Sequence, residues 1–120
     1  MATLPGSERA VVPPAKLADY LLSATHPVGR AKARYFRAAG FDDRNAADLA
    51  AGLLAIARAA AVVEEVASPH GVKYVLDGAV VAPHGDTLRL RTVWIVEPTV
   101  GYPRFVTAYP APGGAGEQGG

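Results

Sequence analysis

The chain has 120 residues, half of them apolar, and twelve Lys and Arg against eleven Asp and Glu leave a formal charge of +1. That length supports one domain with one core and excludes two, and so even a charge excludes bulk polycation behaviour, leaving any nucleic-acid contact to local clusters of Lys and Arg. The absence of cysteine excludes disulfides, thiolate chemistry and cysteine-built zinc sites.

Residues 1–14 read as an irregular leader, because Pro5, Pro13 and Pro14 remove backbone donors and bias the residues before them away from helix. The stretch M-A-T-L-P-G-S-E-R-A-V-V-P-P has no apolar run behind positive charge, so no secretion signal is expected and the chain reads as cytoplasmic. A single domain over residues 15–110 follows. Lys16 to Leu22 predicts a short helix with Leu17, Tyr20 and Leu21 on one side, ended by Thr25-His26-Pro27. Gly29 to Ala39 predicts a second, with Ala31, Tyr35, Ala38 and Ala39 at helical spacing, Val28 and Phe36 flanking them, and Gly40 as a left-handed stop. Asp42, Asp43 or Asn45 then caps a third helix, expected to run to about Val66 on a buried stripe of Leu49, Leu53, Ile56, Ala60 and Val63. Ser68-Pro69-His70-Gly71 closes it, and Asp48, Arg58, Glu64 and Glu65 interrupt its apolar run, which excludes a membrane span.

Beyond Gly71 the period changes from helical to twofold. Val72 to Val81, Leu88 to Val96 and Arg104 to Tyr109 are rich in Val, Tyr, Trp, Ile and Thr, and P-H-G-D and P-T-V-G-Y-P between them are turn chemistry. Strands joined so closely form an antiparallel meander. The expected fold is α+β: two to three N-terminal helices packed on one face of a C-terminal antiparallel meander of three to four strands. Residues 111–120, rich in Gly, read as a flexible tail.

Two cationic sets stand out. In T-H-P-V-G-R-A-K-A-R-Y-F, Arg30, Arg34 and Arg37 share one helix face at steps of four and three, while Lys32 points elsewhere. Free N–H groups at the helix start, Arg30 and His26 can converge there on phosphate oxygens; the competing reading is a basic face turned to water. On the middle strand, Arg89 and Arg91 lie opposite Leu90 and Trp94, with Val93 and Ile95 continuing the arginine face. Cations so placed can stabilise the phosphorane formed when a ribose 2′-hydroxyl attacks the neighbouring phosphate; a half-solvated sheet face explains them as simply. Arg30, Arg34 and Arg89 are the candidate substrate contacts. Of the three histidines, His26 adjoins a cation cluster, whereas His70 and His84 sit in glycine-containing loops, and none forms a metal-type pair. Thr107 and Tyr109 alternate with Val106 and Ala108 on the last strand, where pairing with the middle strand can bring them to one of its faces.

The run K-L-A-D-Y-L-L-S-A-T-H-P-V-G-R-A-K-A-R-Y-F-R-A-A-G-F, followed by H-G-V-K-Y-V-L-D-G, L-R-T-V-W-I-V and F-V-T-A-Y-P, resembles a bacterial family known only as a domain of unknown function (domain of unknown function 6883). The resemblance spans roughly Lys16 to Pro110 and implies toxin-like or phage-related contexts. A looser similarity, in element order and the closing V-T-A-Y-P, is to the barnase, EndoU, colicin and RelE group of small ribonucleases. It implies proton transfer for His26, charge stabilisation for Lys32 and Arg91, and substrate positioning for Thr92, Thr107 and Tyr109. The function so implied is a metal-independent, cofactor-free ribonuclease-like toxin domain acting on RNA, with a cognate acidic immunity protein as partner and no membrane contact. The alternative is a non-catalytic interaction module, which an exposed apolar face around Val93 and Ile95 would favour.

Overall fold

A computed structural model describes residues 3–17, 30–42 and 44–111, with the side chains of residues 30–32 left aside. A 3-10 turn, Ser7–Arg9, is followed by α1 (Pro14–Lys16), α2 (Arg30–Ala38), α3 (Ala46–Ala59), β1 (Val62–Ser68), β2 (Gly71–Val81), β3 (Thr87–Val96) and β4 (Pro103–Pro110). The strands form one antiparallel sheet in the order β1-β2-β3-β4. The fold is therefore α+β, helices first and meander second. No helix among the described residues is long and apolar enough to cross a membrane.

The end of α2 follows from its sequence. Gly40 takes a φ of 106°, its N–H donates to the Arg37 carbonyl and the Phe41 N–H donates to the Phe36 carbonyl, which together satisfy the orphan carbonyls of the last turn. The Phe36 and Phe41 rings then meet edge to face at 6.4 Å, the apolar contact that accompanies such a stop. Ala33, Phe36 and Ala39 are buried while Ala38 is exposed, so the buried stripe lies slightly round the helix from the one the spacing suggested.

Asn45 occupies the N-cap position of α3 but does not cap it. Its Oδ1 accepts from the Asp42 N–H at 2.7 Å and its Nδ2 donates to the Gly40 carbonyl at 2.9 Å, tying the α2–α3 connection to itself. Leu49, Leu53 and Ile56 are buried as their spacing predicts.

The expected continuation of α3 to Val66 is not observed. Ala60 is already extended, and V-V-E-E-V-A-S forms β1, with Val63 54% exposed instead of buried. Three β-branched valines favour a strand, and a pairing partner is at hand, since Ser68 stands opposite Gly71 across a two-residue loop of Pro69 and His70. Ser68 Oγ donates to the Gly71 carbonyl at 2.7 Å and accepts from the His70 N–H at 3.3 Å. Gly71 is required: its φ is 141°, and a Cβ there would stand 2.4 Å from the Val96 carbonyl oxygen. Ser68-Pro69-His70-Gly71 is thus a hairpin turn and not a helix stop.

The leader also differs from expectation. Leu4 is 2% exposed and belongs to the core, and the Val11 N–H donates to the Pro103 carbonyl while its carbonyl accepts from the Phe105 N–H, both at 3.0 Å. Between prolines that cannot donate, Val11 keeps both groups and covers part of the outer edge of β4. Helix is described for Pro14–Lys16, with Leu17 buried; residues 18–22 of the expected first helix lie outside the described residues.

One sheet face carries Leu76, Val80, Leu88, Leu90, Trp94, Phe105 and Ala108 into the core beneath α3. Contact is close because Gly78 lies under Ile56 and Gly52 against Val80, where an added Cβ would come within 2.7 Å of either side chain. The opposite, outer face carries Lys73, Asp77, Arg89 and Arg91.

Candidate functional site

Register builds the outer face. Arg91 stands opposite Asp77 on β2 and Tyr109 on β4, Val93 opposite Val75 and Thr107, and Ile95 opposite Lys73 and Arg104. Arg89, paired with Ala79, extends the row and is exposed. Arg89, Arg91, Thr107 and Tyr109 therefore come together on one surface. A bulge in β4 at Val106 makes this possible. Strict alternation would place Phe105 with Thr107 and Tyr109; the extra residue lets Phe105 enter the core against Trp94, their rings 5.4 Å apart, while the other two stay outside.

Arg91 is held in a fork by Asp77, with Nε to Oδ1 at 2.8 Å and Nη2 to Oδ2 at 2.9 Å. The hydrogen bonds to Asp77 raise its pKa further above the ordinary range, so the cation is fixed. A guanidinium has five N–H donors, and those on Nη1 are not engaged by Asp77, so Arg91 can be oriented by one anion and still meet another.

Thr92 does not belong to this surface. It is fully buried, its hydroxyl donates to the Leu76 carbonyl at 2.9 Å and accepts from Trp94 Nε1 at 2.9 Å, and it points into the core. The expectation that it contacts substrate fails because the strand period assigns it to the face of Leu90 and Trp94. On α2, Arg34 and Arg37 are exposed while Ala33 and Phe36 enter the core, so this basic face and the β3 arginines are carried by different layers. The side chains of Arg30 and Lys32, and His26 altogether, lie outside the described residues.

At the far end of the outer face, beyond Ile95, α1 and the strand ends border an open cleft of about 550 Å³. Lys16, His70, Lys73, Glu97 and Arg104 supply its polar lining, and Pro13, Ile95 and Val106 much of its apolar wall. Arg104 Nη2 pairs with Glu97 Oε1 at 2.9 Å. The sequence gives little sign of this grouping while Ser68-Pro69-His70-Gly71 is read as a helix stop; taken as a hairpin turn, it sets His70 at the end of the strand that carries Lys73 and Asp77. The apolar patch imagined around Val93 and Ile95 is absent, since Ile95 is 7% exposed and Val93 half-buried.

Residues 3–112 match the family described as Domain of unknown function (DUF6883). No curated protein matches the chain. Among solved structures, a chain of a contact-dependent growth inhibition toxin–immunity protein complex from Klebsiella pneumoniae 342 is similar, with a TM-score of 0.67 and 21% identity over 88% of this chain and 96% of that one. The likeness is one of fold.

Proposed function

The chain belongs to the DUF6883 family, and from that premise we propose that it is a ribonuclease-like toxin domain whose active surface is the outer face of the sheet. The observation that carries the reading is the juxtaposition of Arg91 with Tyr109 and its neighbour Thr107, Arg91 being held in place by Asp77. The fold it shares with a chain of a toxin–immunity complex supports the same reading.

In the proposed reaction the 2′-hydroxyl oxygen attacks the adjacent phosphorus. The P–O5′ bond breaks, leaving a 2′,3′-cyclic phosphate and a 5′-hydroxyl, with one proton removed from the 2′-oxygen and one delivered to the 5′-oxygen. Such a step needs an acid, a base and stabilisation of the phosphorane charge, and no metal or cofactor. Arg91 supplies the charge through Nη1, Arg89 holds a flanking phosphate, and Thr107 and Tyr109 position the scissile group. His26 is the proposed proton carrier, with Lys32 and Arg30 as further cations of the substrate path; Arg34, on the exposed face of α2, takes no part at the sheet. A cognate inhibitor for such a surface would be acidic, to complement it.

Tightly induced expression in bacteria tests the reading. The native chain should arrest growth, and Arg91→Ala and His26→Ala variants of unchanged thermal stability should not. A native chain that leaves growth untouched, or variants that arrest it equally, would remove the outer face from consideration as a toxin site.

A further inference from the structure

We propose that the cleft at the end of the outer face is a nucleotide-binding station, taking a phosphate at Lys73, Lys16 and Arg104 and a base against the half-buried Pro13 and Val106. The inference rests on the RNA reading only in supposing that this nucleotide belongs to a strand running on towards Arg91.

Size is the first support. A cleft of about 550 Å³ lies within the range of small-ligand sites and far exceeds the space that one ion fills. Composition is the second. Among the described residues the cations Lys16, Lys73 and Arg104 line it against one carboxylate, Glu97, which Arg104 engages at 2.9 Å. Lys73 makes no ion pair among the described residues, so an arriving phosphate need not displace a protein carboxylate from it. An excess of positive charge beside an apolar wall suits a ligand that is anionic at one end and flat and apolar at the other. A free sulfate or phosphate would use only half of the lining; a nucleotide uses both.

Position is the third support. Ile95 and Arg91 are on one face of β3, four residues and about 13 Å apart at the ordinary strand rise. Cleft and arginine fork are therefore separate places along one surface, within reach of one short single strand. His70, on the hairpin loop that borders the cleft, adds an imidazole whose ring N–H can donate to a phosphate oxygen. We assign it contact with the bound phosphate.

The test is a magnetic-resonance titration of the full chain with adenosine monophosphate, inorganic phosphate and adenosine in turn, following the His70 ring and the Lys73 ammonium. The nucleotide should move both signals and bind about tenfold more tightly than either fragment. Lys73→Glu, at an exposed strand position, should leave the thermal unfolding midpoint unchanged and abolish the effect, and Lys73→Ala should weaken it about tenfold. Signals that stay still with the nucleotide, or an affinity unchanged in Lys73→Glu, would overturn the proposal. Inorganic phosphate binding as tightly as the nucleotide would reduce the cleft to an anion site and overturn the assignment of a base. The outcome is separable from that for catalysis: a responsive cleft in a chain that leaves RNA intact upholds the station and sinks the ribonuclease reading, whereas RNA cleavage with a silent cleft does the reverse.

Discussion

Replacing Thr92 by valine keeps the shape of the side chain and removes two hydrogen bonds, leaving the buried Trp94 indole N–H and one Leu76 lone pair without the hydroxyl. We expect a loss of about 2 kcal/mol, on the order of 8 °C in thermal unfolding, with Thr92→Ser retaining most of the stability. Asp77→Ala should behave in the opposite manner. The fork is about a quarter exposed, at 24% and 26% for the two side chains, so stability should fall by no more than about 1 kcal/mol, while growth arrest weakens because Arg91 is no longer oriented. Asp42 gives a pH dependence. The Arg44 backbone N–H, donating to Oδ1 at 2.8 Å, holds its carboxyl below the usual carboxylate range. Its contribution is complete above the unfolded pKa and is lost as pH falls through the lower folded one, so Asp42→Asn should lower the neutral plateau slightly, leave stability at strongly acid pH unchanged and thereby flatten the acid limb of a stability profile. Residue identity was legible where one period ruled. Alternation along β3 alone assigns Arg89, Arg91 and Trp94 to their faces, and the same alternation sets Thr92 with Leu90 and Trp94, against the role that the resemblance implies for it.

Elements were legible where a stop was written into the chain. Gly40 ended α2 through a bonding pattern that the sequence A-G-F supports, and each of the last three strands lay within a residue of its expected bounds. The boundary between α3 and β1 was not, because alanine carries helical periodicity smoothly into valines whose strand character depends on a distant partner, β2. Likewise the bulge at Val106 depends on what Trp94 needs opposite it. The close packing of α3 on β2 yields a prediction at this scale. Gly78→Ala places a methyl group 2.7 Å from Ile56 Cγ1 and should cost about 1–3 kcal/mol; combining it with Ile56→Ala should destabilise by less than the sum of the two changes, since the alanine vacates the space. Full additivity in chemical denaturation would contradict the proposed contact.

At the scale of the whole molecule, the N-terminal segment joins the core and the sheet edge, although its prolines advertise irregularity. Pro5 and Pro13 leave the segment no more than the Ser7–Arg9 turn before the helix that opens at Pro14, and they do not prevent Leu4 from burying its side chain. Leu4→Ala should therefore cost about 3 kcal/mol and lower the unfolding midpoint by on the order of 10 °C, where a loose leader would show no change. The division of the sheet into a helix-covered face and an outer face that carries the charged residues organises everything else. Hydrophobic residues on the inner side fix the register, and that register sets Arg91 between Asp77 and Tyr109 while the bulge keeps Thr107 beside them. Sequence could name these residues but could not show that they meet, since pairing between strands is settled by packing on the far side of the sheet.

The central claim is that this outer face cleaves RNA, and the direct measurement is the product end-chemistry of a short RNA incubated with the purified chain in excess chelator. Cleavage leaving 2′,3′-cyclic phosphate ends with the native chain, and loss of at least about a hundredfold in rate with Arg91→Ala, about 2.7 kcal/mol of transition-state stabilisation, is the predicted result. RNA left intact at high protein concentration, or cut equally by Arg91→Ala, would contradict it.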